Sequence, residues 1–237
     1  MEDRPLVREL SELRSLLLQM AGIVAEQFTD AVDVLLEGDP ERAEAVVARD
    51  ADVDALELKV DRQCERILAL HQPVASDLRS LLAVEKINTD LERIGDHCRN
   101  IARNTPEVVD APDILSRTHL REMSRVAREM LEEARAAFLT QDEARARAIP
   151  DLDDRVDTLH RKNFDILVTA IQEHPEHAEA AARLITTSKA LERVSDHATN
   201  IAKSVVFLIE GEDLRHQNGA QPTVPEGAAV PDENEDA

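Results

Sequence analysis

Aromatic residues are nearly absent from this chain of 237 residues, which contains no Trp, no Tyr and four Phe. Glycine is also scarce, with six residues. β-Sheet proteins are enriched in aromatic and β-branched residues, whereas this chain is rich in Ala, Leu, Glu and Arg. The composition therefore predicts an all-α protein whose long helices pack through aliphatic side chains.

Basic residues, cysteines and long apolar runs are also in short supply. The 28 basic residues are outnumbered by 49 acidic ones, and the net charge of −21 argues against binding to nucleic acid or to anionic lipid. No apolar run approaches the roughly 18 residues of a membrane span, and the first residues do not resemble a secretory signal. Cys64 and Cys98 lie at apolar positions without C-x-x-C spacing, which favours buried reduced thiols. We expect a cytoplasmic protein without direct membrane insertion.

The chain contains an internal repeat. Residues 91–103 read LERIGDHCRNIAR and residues 191–203 read LERVSDHATNIAK, so that eight positions are identical. Part of each copy has the spacing of a buried helical seam. The seam residues are Leu91, Ile94, Cys98 and Ile101 in the first copy and Leu191, Val194, Ala198 and Ile201 in the second.

The polar part of the repeat lies on roughly the opposite side of the helix. It comprises Glu92, Asp96 and Asn100 in the first copy and Glu192, Asp196 and Asn200 in the second. Two carboxylates at i, i+4 repel by roughly 0.2–0.5 kcal/mol in an isolated helix, so packing does not explain why they recur. We interpret them as an outward-facing surface that a ligand or partner outside the helical bundle recognises. The alternative is a solvated face whose charge Arg93 and Arg99 screen.

A weaker repeat places a second acidic pair on the preceding helix of each copy. Residues 50–56 share the pattern D-x-x-V-D-x-L with residues 153–159, which gives the pairs Asp50 and Asp54, and Asp153 and Asp157. Carboxylate oxygens on neighbouring helices favour Mg²⁺, Ca²⁺, Mn²⁺ or iron over copper or structural zinc. His97 and His197 add nitrogen donors, but their helical angle equally suits packing or indirect roles.

Periodicity and helix-breaking residues predict three helices in each copy, at about 6–37, 41–70 and 76–104, and at about 114–140, 142–173 and 176–210. We therefore predict two tandem antiparallel three-helix bundles that are related by internal duplication. The expected divisions are 1–104 for the first unit, 105–112 for a linker and 113–210 for the second unit. Residues 211–237 are expected to form a disordered acidic tail.

The sequence contains no motif that indicates an enzyme. It lacks a phosphate-binding Gly-rich loop, a nucleophile elbow and a Cys-His arrangement. Ferritin-like di-metal bundles need a buried Glu-x-x-His, to which Asp157-x-x-His160 is the nearest approach. We expect no enzymatic activity, with a carboxylate-metal enzyme and a purely structural scaffold as alternatives from other classes.

The paired L-E-R-[IV]-[GS]-D-H-x-x-N-I-A motifs, residues 77–79 (Asp-Leu-Arg) and the D-x-x-V-D-x-L elements resemble the PhoU family of bacterial phosphate-signalling regulators, over about residues 6–210. The resemblance implies surface multinuclear metal clusters of iron or zinc, with manganese or magnesium as further options. The implied metal ligands are Asp50, Asp54, Glu92, Asp96, Asn100, Asp153, Asp157, Glu192, Asp196 and Asn200.

The resemblance also implies a function. Family members are cytosolic negative regulators of phosphate uptake and phosphate-starvation signalling that connect a phosphate ABC transporter, through its ATPase subunit, to a sensor histidine kinase, commonly as homodimers. The alternative within the family is an accessory subunit of a sodium-coupled or low-affinity phosphate transporter. The second copy lacks a counterpart of residues 77–79, and Asp90 is replaced by Ala190. From these departures we predict that the second site holds metal less completely than the first.

Overall fold

The computed structural model describes residues 5–211, and the predicted acidic tail lies outside these residues apart from Gly211. The described range is helical without a strand, which confirms the all-α prediction. Its helices are α1 (Pro5–Glu37), α2 (Pro40–Ala48), α3 (Asp50–His71), α4 (Ala75–Arg103), α5 (Thr105–Val108), α6 (Pro112–Arg117), α7 (Leu120–Thr140), α8 (Glu143–Glu173) and α9 (Ala178–Glu210), with a 3₁₀ turn at Pro175–His177.

The long helices form two three-helix bundles. α1, α3 and α4 pack on one another in the first unit, and α7, α8 and α9 do so in the second. The units contact each other mainly through α4 against α9 and α1 against α7. Because α3 and α8 contribute little to that interface, each of them presents its acidic pair beside the repeat helix of its own unit.

Three helix boundaries differ from the prediction. The helix expected at 41–70 is interrupted at Arg49, which ends α2 and pairs with Asp30 at 2.6 Å. The expected linker 105–112 contains the single turn α5. The helix expected at 114–140 divides at Thr118, whose extended backbone separates α6 from α7. At each of these points the structure has a short connection, although the helical periodicity of the sequence continues through it.

The seam positions of both repeats are buried in one continuous apolar core. Fully burying a Leu or Ile side chain contributes about 1.5–3 kcal/mol, so the seam supplies much of the stability of α4 and α9. Cys64 and Cys98 are buried free thiols, as expected, and burial raises the pKa of Cys64 to about 12. Within residues 5–211, the helices are too short or too polar to cross a membrane.

Candidate metal centre

The acidic residues of the first unit lie in a groove between α3 and α4, here called the first groove and defined by Asp50, Asp54, Glu92 and Asp96. The side chains of Glu92 and Asp96 are 18% and 27% exposed, and that of Asp50 is 8% exposed. Of the residues expected on an outward face, Asn100 is exposed, whereas Glu92 and Asp96 are only partly exposed. The carboxylates of α4 are partly covered by the neighbouring helix, whose acidic pair faces the same groove.

Arg99 joins the two acidic pairs of the first groove. Its guanidinium donates to the Asp50 carboxylate and lies 2.6 Å from Asp96 Oδ1, so that it bridges α3 and α4. Arg93 lies 3.3 Å from Glu92 and 3.8 Å from Asp96. In this unit Arg93 and Arg99 therefore screen the acidic charge, as the alternative interpretation expected.

Glu57 extends the first groove beyond the predicted residues. Burial raises its pKa, and the negative charges of Asp61 and Asp54 raise it further. The pKa of Glu92 is likewise raised by burial and by Asp96. Glu57 follows Asp50 by seven residues on one helical face, and the sequence already shows it in an acidic line with Asp50, Asp54 and Asp61, although it was not among the predicted ligands.

The second groove lies between α8 and α9 and is defined by Asp153, Asp157, Glu192 and Asp196. It has no counterpart of Arg99, because Thr199 occupies the equivalent position in the repeat. Burial raises the pKa of Asp153 to about 6, with further contributions from Asp196 and Asp157. The pKa of Asp196 is also raised, by burial and by Glu192. Arg193 lies 3.1 Å from Asp196 and Lys189 lies 2.7 Å from Glu192, so the negative charge without a nearby cation is concentrated at Asp153 and Asp157.

Several oxygen atoms of the second groove lack hydrogen-bond partners among the described residues. Asp153 Oδ1 and Glu192 Oε2 are buried in this state, although Lys189 lies 2.7 Å from the other Glu192 oxygen. The Thr199 hydroxyl is buried beside Asp153, and hydrogen bonding from it lowers the pKa of that carboxyl against the larger effect of burial. Carboxylate and hydroxyl oxygens are the ligands that Mg²⁺, Mn²⁺ and iron take, so these residue types fit such a cation chemically.

The side chains do not already converge on one point. Within residues 5–211, three or more His, Cys, Asp or Glu side chains nowhere form a group that could hold a metal ion as they stand. Binding therefore requires rotation of side chains, which the exposure of Asp54 and Asp157 permits. Asn100 and Asn200 are exposed and, within the described range, make no hydrogen bond to the groove carboxylates.

His97 and His197 lie between the units rather than in the grooves. Their ring centroids are 5.7 Å apart, and His197 Nδ1 lies 2.8 Å from Asp90 Oδ1. Burial and the neighbouring His197 lower the pKa of His97. The two equivalent histidines therefore pack against each other where α4 meets α9, which agrees with the packing role that the helical angle allowed.

A model of the PhoU domain matches the chain twice, over residues 17–105 and 120–205. The chain belongs to the PhoU family. A relative from Pseudomonas putida, named phosphate-specific transport system accessory protein PhoU homolog, is 35% identical over 226 residues, which cover 94% of this chain and 88% of the relative. The protein of the same name from Aquifex aeolicus is 34% identical over 90% of this chain and 96% of its own length.

Solved PhoU structures share the fold. The crystal structure of PhoU from Pseudomonas aeruginosa has a TM-score of 0.81 at 34% identity and covers 86% of this chain and 99% of its own. That of the phosphate transport system regulatory protein PhoU from Streptococcus pneumoniae has a TM-score of 0.80 at 26% identity, with coverages of 88% and 99%. These likenesses confirm the fold of two helical PhoU units. The PhoU family is non-enzymatic, so this member is not an enzyme.

Each PhoU domain contains one groove and one copy of the repeat, so the duplication of sequence is also a duplication of the site. The structure brings the predicted aspartates and glutamates of each unit together across two adjacent helices. It does not bring the two predicted asparagines into contact with them. Whether these residues bind metal stays a prediction.

Proposed function

We propose that this protein is an accessory protein of phosphate transport that acts as a negative regulator of phosphate uptake and phosphate-starvation signalling. One observation carries the proposal. The PhoU domain matches both halves of the chain, and relatives at 34–35% identity along most of their length are named phosphate-specific transport system accessory proteins. The protein acts through contacts and turns over no substrate.

The two grooves are proposed to bind metal ions, with iron or zinc preferred and manganese or magnesium as further options. A bound cation would supply positive charge among carboxylates that otherwise repel one another. The chain's own contribution is to gather acidic residues from two helices into a partly buried groove, where burial and mutual repulsion raise the pKa of Glu92, Asp153 and Asp196. A bound cation stabilises most strongly those carboxylates whose charged form is disfavoured by burial and by neighbouring negative charge.

The proposed partners are the ATPase subunit of a phosphate ABC transporter and a sensor histidine kinase in the cytoplasm. A net charge of −21 is complementary to a basic patch on such a partner and would accelerate association with it. We also propose a homodimer, which analytical ultracentrifugation of the full chain tests. If the protein instead copurifies with a single-polypeptide phosphate carrier, the accessory-subunit alternative replaces the kinase adaptor.

A complementation experiment tests the function. A strain that lacks the gene should express phosphate-starvation genes at high phosphate, and the wild-type protein should restore repression. We expect Glu92→Ala with Asp96→Ala, and the equivalent pair of substitutions in the second unit, to restore less repression than the wild type. Glu129→Ala with Glu133→Ala is the matched control, since it removes an i, i+4 acidic pair from α7 outside both grooves.

Repression by both groove variants at the wild-type level would contradict a role for the grooves. Failure of the wild-type protein itself to restore repression would contradict the regulatory assignment. Equal amounts of protein in all strains, measured by immunoblot, separate these outcomes from simple loss of folding.

A further inference from the structure

Three cations lie where the start of α4 meets the end of α9, in a chain whose net charge is −21. Arg79 lies beside Gly211, at which an added Cβ atom would approach the guanidinium to 3.3 Å. Lys86 lies over the ring of Phe207, with its Nζ 4.6 Å from the ring centroid. Lys203 precedes Phe207 by one helical turn. We call Arg79, Lys86 and Lys203 the cationic patch.

The cationic patch has no carboxylate partner among the described residues. Arg79 is partly buried, and its Nε is a buried donor without an acceptor in this part of the chain. Two acidic residues of the same helices have other partners, since Glu210 lies 2.6 Å from Arg147 and Asp90 lies 2.8 Å from His197. A buried donor without an acceptor is costly, and a carboxylate would give Arg79 a charge-assisted hydrogen bond.

The opposite end of the contact between α4 and α9 is neutralised instead. The 100-residue offset of the repeat places Glu179 at the position equivalent to Arg79. The arginine at that end, Arg183, lies 3.7 Å from Glu107 and 3.9 Å from Glu179. One end of the duplicated framework therefore pairs its arginine with carboxylates, whereas the other end leaves its cations without them.

The chain leaves α9 beside the cationic patch. Gly211 ends the helix in the left-handed conformation, with φ of 78°, and it is the residue that adjoins Arg79. Residues 212–237 lie outside the described range, and they contain one arginine and seven acidic residues, which are Glu212, Asp213, Glu226, Asp232, Glu233, Glu235 and Asp236. A covalent tether of this length gives such carboxylates an effective concentration on the order of millimolar at the patch.

Leu82 adds an apolar element to this surface. It is 45% exposed, and it lies three residues after Arg79 and four before Lys86, on the same side of α4. Residues 228–233 read AAVPDE, so that an apolar stretch is followed directly by two carboxylates. An exposed leucine between two cations is complementary to a segment of this kind.

We propose that residues 226–236 dock on the cationic patch of their own chain. Their carboxylates pair with Arg79 and Lys86, and Val230 covers the exposed side of Leu82. An acidic segment of any other protein that binds this surface must first displace them, so the docked segment is a competitive cover of the junction between α4 and α9. Because the patch is partly exposed, added salt weakens the docking. The proposal does not depend on metal binding in the grooves.

Cross-linking of the full-length protein with a carbodiimide tests the proposal, because this reagent joins a lysine amine only to a carboxylate in direct contact with it. Mass spectrometry then identifies the joined residues. We expect Lys86 and Lys203 to join carboxylates of residues 226–236 within one chain about fivefold more often than the exposed Lys59 and Lys162 do. The excess should disappear in about 1 M salt, where the Debye length is about 3 Å.

Binding of a fluorescent peptide with the sequence of residues 221–237 provides a second measurement. The full-length variant that combines Asp232→Asn, Glu233→Gln, Glu235→Gln and Asp236→Asn should bind the peptide about fivefold more tightly than the wild type, because its own segment no longer competes. Adding Arg79→Gln and Lys86→Gln to that variant should abolish the gain, and circular dichroism checks that each variant is folded.

Two results of the cross-linking experiment would overturn the proposal. Equal joining of residues 226–236 to all four lysines would mean that the segment has no preferred surface. Joining only between two chains would mean that the patch receives the segment of a second copy instead. Equal peptide binding by the wild type and the variant with four substitutions would likewise contradict a cover within one chain.

Discussion

The two grooves contain the same four carboxylate positions, yet they differ in how their charge is compensated. In the first unit, Arg99 pairs with both Asp50 and Asp96 and supplies a cation from the chain itself. In the second unit Thr199 takes its place, and burial with neighbouring charge raises the pKa of Asp153 to about 6. The grooves therefore differ mainly at one aspartate of the outer helix. Arg99 reaches Asp50, whereas Asp153 has no ion-pair partner among the described residues, although Arg193 lies 3.1 Å from Asp196 and Lys189 lies 2.7 Å from Glu192.

The largest expected effect comes from introducing an arginine into the second groove at the position equivalent to Arg99. Thr199→Arg places a guanidinium beside Asp153 and Asp196, and two unit charges about 4 Å apart interact by about 4 kcal/mol near a protein surface. After screening by solvent we expect the second groove to lose divalent-ion affinity by about 100-fold. Isothermal titration with Mn²⁺ measures the loss.

Thr199→Val is the control for that experiment, because it removes the hydroxyl without adding charge. It should weaken binding far less than the arginine. Equal losses in the two variants would indicate that packing at this position, rather than charge, determines binding.

The reciprocal substitution should lower the stability of the protein and raise its metal affinity, and both effects should be smaller. Arg99→Thr leaves the nearly buried Asp50 without its partner, so the metal-free protein should lose about 2 kcal/mol of unfolding free energy. The uncovered carboxylates of the first groove should bind Mn²⁺ about tenfold more tightly. Urea unfolding with and without Mn²⁺ measures both changes, and a loss of stability that Mn²⁺ does not restore would contradict the account.

Asp153 makes the second groove sensitive to pH. Because its folded pKa of about 6 exceeds its unfolded value of about 3.9, its contribution to stability is complete below about pH 4 and is lost as the pH rises through 6. In metal-free protein at pH 8, Asp153→Asn should therefore raise the unfolding free energy by on the order of 1 kcal/mol after solvent screening. The gain should disappear near pH 4.

Thermal unfolding across this pH range checks the prediction, and a shift of a few degrees at pH 8 is expected for a chain of this size. Asp154→Asn, on the neighbouring exposed position of α8, serves as the control and should show no such pH dependence. Parallel pH curves for Asp153→Asn and the wild type would contradict a raised pKa.

The smallest expected effect concerns Asp90, which the second unit replaces with Ala190. Asp90 pairs with His197 between the units and takes no part in the first groove. Asp90→Ala should therefore cost at most about 1 kcal/mol of stability and leave metal affinity unchanged. Metal analysis of the dialysed Asp90→Ala protein tests this prediction. A loss of bound metal would indicate that Asp90 belongs to the metal site.

The sequence was sufficient to predict the all-α fold and the repeat helices, because apolar seams such as Leu91, Ile94 and Cys98 have an unmistakable period. It also identified the acidic pairs that the structure brings together across adjacent helices. The break at Arg49 was not predictable from periodicity, which continues through it; in the structure Arg49 pairs with Asp30 of another helix.

The relative strength of the two sites stays a prediction. Our expectation of a weaker second site relied partly on the change from Asp90 to Ala190, but the structure assigns Asp90 to the interface between the units. The important difference, Arg99 against Thr199, was visible in the aligned repeats. Its significance depends on the distance from Arg99 to Asp50 in a different helix, and spacing along one helix does not supply that distance.

One comparison of variants tests the unequal compensation of the grooves most directly. Metal-free full-length protein is titrated with Mn²⁺ as wild type, as Glu92→Gln with Asp96→Asn, and as Glu192→Gln with Asp196→Asn, and free Mn²⁺ is counted by electron paramagnetic resonance. We predict that the second-unit variant loses the tightest binding and the first-unit variant keeps it. Loss of the tightest binding in the first-unit variant, or equal loss in both, would contradict the account.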